Sequence, residues 1–300
     1  MKKMLNRVDI QGYVYEHDLK ISKVKKTDSP NFGKEFITGK VSIATDEECV
    51  NVVTVKFGYV TPTTKNGSPS KNYEVLEKIM NGGATVVANG KENALKVKVS
   101  PSLICNDFYN RDGELVSGKS LDGGFISIVN SVEPKAKFEV DFFATKATHV
   151  DENPDKQTPE FVKVDGYVFT FNGAIHPVTL NVKNELGMSF FENNVEDKKP
   201  LFVKVGGDII SKSIKVKKEE QGAWSTIVKE YTQSFKEYLI NEANEPYDLN
   251  DDSILTQDEF KKALADREVH LAEVKQQYEE RQNAPATPAA APAAQGNFGW

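Results

Sequence analysis

Apolar and polar positions alternate along the first third of the chain. In 6–15, Val8, Ile10, Gly12 and Val14 share one parity, and Arg7, Asp9, Gln11, Tyr13 and Tyr15 share the other. A strand projects successive side chains to opposite faces, so this pattern predicts a strand with one buried face. The period recurs in 35–44, with Ile37, Val41 and Ile43 set against Phe36, Thr38 and Lys40. It recurs again in 50–60 (Val53, Val55 and Phe57 against Thr54 and Lys56) and in 94–104 (Leu95, Val97 and Val99 against Lys96 and Lys98). Segment 84–91 is a further β-branched run and reads as a strand. Between the third and fourth runs the period changes. Tyr73, Leu76, Ile79 and Met80 fall at helical spacing, and Asn81, Gly82 and Gly83 stop the element.

Three strands, a helix and two strands is the element order of an OB barrel. Gly12 in mid-strand suits the sharp coil that closing a small barrel requires. An internal repeat suggests a second copy. Residues 8–15 and 162–169 both fit V-x-[IV]-x-G-Y-V-[YF]. After the second match, 175–183 reads as a strand, 186–197 as a short helix, and 201–206 resembles 85–90. The expected fold class is mainly β with α additions: two OB barrels in tandem, a C-terminal helix and a disordered tail.

The expected domains are an OB unit over 1–145, a second, trimmed OB-like unit over 146–220, a helical extension over 221–283 and a tail over 284–300. In the extension, Trp224, Ile227, Val228, Tyr231, Phe235, Tyr238 and Leu239 recur at helical spacing, with a strand over 227–241 as the competing reading. A helix over 257–282 is signalled by a capping box from Thr256 to Glu259 and an apolar stripe from Phe260 to Tyr278. The Ala/Pro-rich tail cannot bury enough apolar surface to offset its ordering entropy. It nevertheless carries Phe298 and Trp300 at its tip, candidate contacts for a partner protein.

The predicted outer face of the strands brings rings and charged groups together. It holds Arg7, Tyr13, Tyr15, Phe36, Lys40, Lys56, Lys96 and Lys98 in the first unit, and Tyr167, Phe169 and Phe171 in the second. Nucleic-acid bases stack on such rings, and lysines meet phosphates without reading sequence. Outward rings also pack under loops, and lysines also solubilise, so the argument rests on finding both types on one face in several strands.

Net charge is −6, which by itself argues against a polyanionic partner. Its distribution changes that picture. Residues 1–150 carry 21 Lys and Arg against 18 Asp and Glu, 151–218 balance at 10 each, and 219–300 carry 7 against 16. Phosphate affinity follows local cationic density. Two cysteines and four scattered histidines make neither a disulfide framework nor a zinc site. The spacing from Asp248 to Glu259 matches calcium-loop positions, but Ser253 stands where the turn needs glycine. No P-loop, nucleophile elbow or zinc-protease motif is present, so neither catalysis nor a cofactor is expected. No apolar run approaches a membrane span, and the expected location is the cytoplasm.

The opening Met4-Leu-Asn-Arg-Val-Asp-Ile-Gln-Gly-Tyr-Val14 resembles the first strand of bacterial single-stranded-DNA-binding proteins, M-[LI]-N-R-V-x-[LI]-x-G-x-[LV]. Residues 36–44 are similar to that family's second strand, and 76–92 to its helix and following strand. The plan of barrel, low-complexity linker and aromatic tip is also similar. Three features depart from it: a second barrel, Phe57 where tryptophan is usual, and no acid beside the tip. The resemblance implies a non-catalytic single-stranded DNA binder of phage type. It would act in replication, recombination or repair, in the host cytoplasm, and recruit replication or recombination proteins through its tail. The other reading is a structural or adaptor protein of a phage particle, with the barrels serving as protein-binding modules. Oligomeric state is left open.

Overall fold

The computed structural model describes residues 4–153, 158–170, 172–195, 200–221, 226–248 and 257–283; in 213–221, in 226–234 and at 257 it describes the backbone alone. In chain order the first unit contains β1 (Asn6–His17), β2 (Lys20–Lys23), β3 (Glu35–Ala44), β4 (Val52–Val60), α1 (Lys71–Met80), α2 (Val86–Asn89), β5 (Lys96–Tyr109) and β6 (Leu115–Ile128). The second contains β7 (Lys135–Val150), β8 (Phe161–Phe169), β9 (Ile175–Val182), α3 (Glu185–Asn194), β10 (Leu201–Gln221) and β11 (Thr226–Ala243), and α4 (Gln257–Asn283) follows.

The first circuit closes as an OB barrel. β1 pairs antiparallel with β3 and with β5, β3 with β4, and β5 with β6, while β4 and β6 run parallel at Lys56 and Asp122. The second repeats it: β7 pairs with β8 and β10, β8 with β9, β10 with β11, and β9 runs parallel to β11 at Asn181 and Leu239. The tandem OB architecture is therefore set by strand order alone. The faces assigned to the core are inside: Val8, Ile10, Val14, Ile37, Val41, Ile43, Val55, Val97, Val99, Val162, Val164 and Val168 have no exposed surface.

Several boundaries differ from expectation. Segment 84–91 is not a strand. Thr85 accepts a hydrogen bond from the Ala88 amide and caps the short α2 instead. The fourth and fifth barrel strands are β5 and β6, and β6 was hidden by its Gly- and Ser-rich sequence, which lacks clean alternation. The expected break at 145/146 falls inside β7, which begins the second barrel at Lys135. Residues 226–243 form a strand, so the helical reading of that stretch is corrected. The antiparallel β10 along its length and the parallel β9 near its end supply its backbone with partners that a lone helix would have to find within itself.

The repeat is real in architecture but was aligned one strand out. Residues 8–15 lie on the first strand of barrel one, and 162–169 lie on the second strand of barrel two. The glycines explain the match. A Cβ on Gly12 would sit 1.9 Å from the Ala44 carbonyl oxygen, across the β1–β3 contact. A Cβ on Gly166 would sit 2.4 Å from the Phe143 carbonyl oxygen, across the matching β7–β8 contact. In each barrel the bent first strand passes so close to the second that one of the two must be glycine; the two barrels place it on opposite strands.

Register gives the true correspondence. The bulge at Val14/Glu16 recurs at Ala144/Lys146, and that at Ser100/Ser102 recurs at Gly206/Gly207. On this frame Val8 corresponds to Phe138, and these two residues face each other where β1 pairs antiparallel with β7. The barrels are thus joined first strand to first strand about a pseudo-two-fold axis, giving one continuous 11-stranded sheet. Each barrel also lends its last hairpin to the other. Asn51 in barrel one donates to the Ile209 carbonyl at 3.0 Å and accepts from the Ser211 amide at 2.6 Å.

Candidate nucleic-acid interface

Strands two and three of an OB barrel, with the flanking loops, form its usual ligand face. In barrel one this is the outer side of β3 and β4. Alternation puts Phe36, Thr38, Lys40 and Ser42 outward on β3, with Thr54 and Lys56 outward on β4, and Lys40 pairs directly with Lys56. A register shift between Ile37 and Gly39 brings Tyr59 against Phe36. The two rings lie 4.6 Å apart between centroids at 44°, and Tyr59 is 49 % exposed.

Tyr59 is the ridge between two clefts. One, of about 780 Å³, is lined by Asn31, Lys34, Tyr59, Thr63 and Lys65 among others. The other, of about 540 Å³, runs past Ser70, Asn72, Asp122 and Gly124. Phe125, next to Gly124, is the most exposed aromatic of the described residues in this barrel, at 82 %. Burial raises the Asp122 carboxyl pKa above its usual range, while Lys56 across the parallel pairing pulls the other way. The face thus offers open rings and ammonium groups, with Asp122 beside one cleft and Glu35, paired with Lys23 at 3.2 Å, beside the other.

The remaining sequence-predicted residues sit elsewhere. Arg7, Lys96 and Lys98 lie on the β5–β1–β7 wall, where acids interleave with them. Arg7 is opposite Glu139, which takes an ion pair from Lys204 at 2.7 Å, and Lys98 pairs with Gln11 in the ladder. Asp9 is bonded to Lys135 at 2.9 Å and to Gln11 at 3.2 Å. Burial opposes ionisation of Asp9, but these bonds and Lys98 hold its pKa below the ordinary value. This wall is charge-compensated.

The expected stacking platform on Tyr13 is corrected. Tyr13 points out of the barrel as predicted, but α2 and the turn after it close over the ring. It is buried with Ala44 and Ala94, Tyr15 is half-buried against that cluster, and the Lys91 ammonium lies 5.1 Å from the Tyr13 ring centroid. The second platform is corrected for the same reason. Phe169 is fully buried beneath α4 with Phe143, Phe202 and Ala263, and Tyr167 meets the Phe260 ring edge-on at 5.9 Å. Phe143 stacks on Phe260 at 4.0 Å. Phe171, Phe298 and Trp300 lie outside the described residues, as does the 249–256 stretch that spans most of the calcium-loop spacing.

Helix α4 is fastened by an ion pair. Arg267 donates to both carboxylate oxygens of Asp107, at 3.0 and 2.8 Å, with the Asp107 side chain 1 % exposed. Burial raises the Asp107 pKa, but Arg267 and the Ser117 hydroxyl outweigh it and hold the carboxyl below its usual range. Tyr278 stacks on Tyr109 at 5.2 Å further along.

Sequence reasoning missed Tyr59, Lys34, Lys119 and Lys236. Tyr59 follows a bulge that breaks parity, and Lys119 lies in the irregular β6. Among the described residues no cluster of His, Cys, Asp and Glu fits a metal ion, and no helix is long and apolar enough to cross a membrane.

Two OB circuits sharing a sheet, one with an open face of rings and lysines, define a tandem OB-fold protein. The chain belongs to the YorF family, which matches residues 4–277. No curated protein matches it. Among solved structures it is similar to a deletion variant of the single-stranded DNA binding protein from Thermus aquaticus, at 13 % identity and a TM-score of 0.47, over 83 % of this chain and 97 % of that one.

Proposed function

We propose that this protein binds single-stranded DNA on the β3–β4 face of its first barrel, without catalysis. The observation that carries the reading is the open Phe36–Tyr59 ring pair set beside Lys40 and Lys56, with clefts on either side of Tyr59. Bases stack on the rings whatever their identity, and the ammonium groups meet the backbone, so binding is sequence-tolerant and weakens with salt. Coating of strands during phage replication, recombination or repair, in the host cytoplasm, is the role that suits such binding. The 284–300 tail with Phe298 and Trp300 is the proposed contact for replication or recombination proteins.

The test is titration of the full chain with oligo-dT and with duplex of the same length, read by intrinsic fluorescence and by gel shift. Preference for the single strand, reduced in Phe36→Ala and Tyr59→Ala, supports the reading. Equal or absent binding of both would overturn it and favour the adaptor role. Deleting 284–300 is expected to leave DNA affinity intact while removing a partner from pull-downs.

A further inference from the structure

Four lysines meet where the two barrels exchange hairpins, and they do so in matched pairs. By register, Lys40 on β3 corresponds to Lys163 on β8, since Ser42 pairs with Glu16 as Asp165 pairs with Lys146. Lys119 on β6 corresponds to Lys236 on β11, since Cys105 pairs with Lys119 as Ser211 pairs with Lys236. The pairs are crossed between barrels. Lys236 of barrel two feels the charge of Lys40 of barrel one, and Lys119 of barrel one feels that of Lys163 of barrel two. At the centre the Lys236 ammonium reaches the Lys119 carbonyl at 3.4 Å.

We infer that Lys40, Lys119 and Lys236, with the Asp165-paired Lys163 beside them, form a phosphate-contact site that carries one DNA strand from the first barrel across to the second. The inference rests on the single-stranded DNA reading above and extends its site beyond the β3–β4 face. Lys40, Lys119 and Lys236 are like charges brought together with no ion-pair partner among the described residues, and their repulsion calls for an anion. Of the acids nearby, Asp165 is the counter-ion of Lys163, and both it and Glu237 lie close enough to act on Lys119. Asp165 accepts from the Thr179 hydroxyl at 2.6 Å and pairs with Lys163 at 3.4 Å. Glu237 is bonded to Lys183 at 2.7 Å and to Asn181 at 3.0 Å. Among the described residues, Lys40, Lys119 and Lys236 form no ion pair.

Lys119 is held in place before any ligand arrives. Its ammonium donates to the Thr179 carbonyl at 2.8 Å and lies 5.0 Å from the centre of the buried Tyr238 ring. Burial first, then Lys236, pushes its pKa down to about 8, against Glu237 and Asp165. An open groove of about 340 Å³ adjoins it, lined by Ser117, Lys119, Thr145, Asp165, Tyr167 and Thr179 among others. The spacing also fits the polymer. A single OB fold engages roughly 4–16 nucleotides, so a longer strand must leave the β3–β4 face, and the Lys40–Lys236 pair stands at its edge.

The experiment is salt-dependent titration of the wild type and of the double variant Lys119→Gln/Lys236→Gln with oligo-dT of roughly 10 and roughly 30 nucleotides. The longer oligonucleotide is expected to lose about tenfold or more in affinity, and its salt slope to fall by about 1.4, or 0.7 per phosphate contact. The shorter one changes little. Lys119→Arg/Lys236→Arg, which keeps the charge, restores the slope and controls for folding. If the wild type binds both oligonucleotides and the glutamine variant binds the longer one with an unchanged slope, this inference is overturned while the DNA reading stands. If the wild type binds neither, the DNA reading fails and this site fails with it.

Discussion

The two barrels have the same strand order, the same bulges and matching registers, yet they use their surfaces in opposite ways. Barrel one leaves its β3–β4 face open, with Phe36, Tyr59, Lys40 and Lys56 exposed or half-exposed. On the corresponding face of barrel two, Lys163 is paired with Asp165, and Lys183 and Asn181 are tied to Glu237. The position that holds Tyr13 in barrel one holds Phe143 in barrel two. Each ring points outward and each is covered, the first by α2 and the turn after it, the second by α4. The two barrels therefore present equivalent frames, and the segments outside the frames decide which surface stays free. An outward aromatic is a binding group only where nothing later in the chain folds over it.

This contrast is testable, because rings in barrel two should govern stability and rings in barrel one should govern binding. The largest effect is expected at the Asp107–Arg267 pair. Removing one partner of a buried pair strands the other, so Arg267→Ala should cost about 3–5 kcal/mol in urea denaturation. Acid should act in the same direction. The folded pKa of Asp107 is depressed below its ordinary 3.8, so its contribution is present above that value and is lost as pH falls below it. Phe169→Ala should also cost about 3–5 kcal/mol, with DNA affinity unchanged while the chain remains folded. A loss of binding in folded Phe169→Ala would break the contrast.

Phe36→Ala and Tyr59→Ala should do the reverse. Each is expected to weaken oligo-dT binding by about 1–3 kcal/mol, measured by fluorescence titration, with a small change in melting temperature. Lys56→Gln should reduce the salt slope by about 0.7, with a smaller loss in affinity at low salt.

The smallest effect sharpens the role of the inter-barrel lysines. Lys119 has a folded pKa of about 8 against an ordinary 10.5, so the unfolded chain binds more protons between those values and stability rises with pH across them. The groups acting on it are Lys163 and Asp165 from β8 and Lys236 and Glu237 from β11. Lys119→Met should therefore raise the melting temperature at pH 7, by an amount that shrinks as pH climbs from about 8 towards 10.5. No gain at pH 7 would mean that the ammonium is held there at no cost to the fold.

Alternation with a period of two was enough to name the inward residues of β1, β3, β4, β5 and β8, because one-sided burial leaves a parity that local sequence records. Helices α1 and α4 were legible from their spacing for the same reason. Which part of the outside an outward residue occupies was not legible. A closed barrel turns its outward side chains through a full circle, so Lys98 and Lys40 share a parity yet lie on different walls, one among acids and one beside an open ring pair. Nor could residue order show that α4 would cover Phe169, or that hairpins of opposite barrels would bring Lys119 to Lys236. Those outcomes depend on contacts between segments far apart in the chain, 117 residues for Lys119 and Lys236, and no local period encodes them.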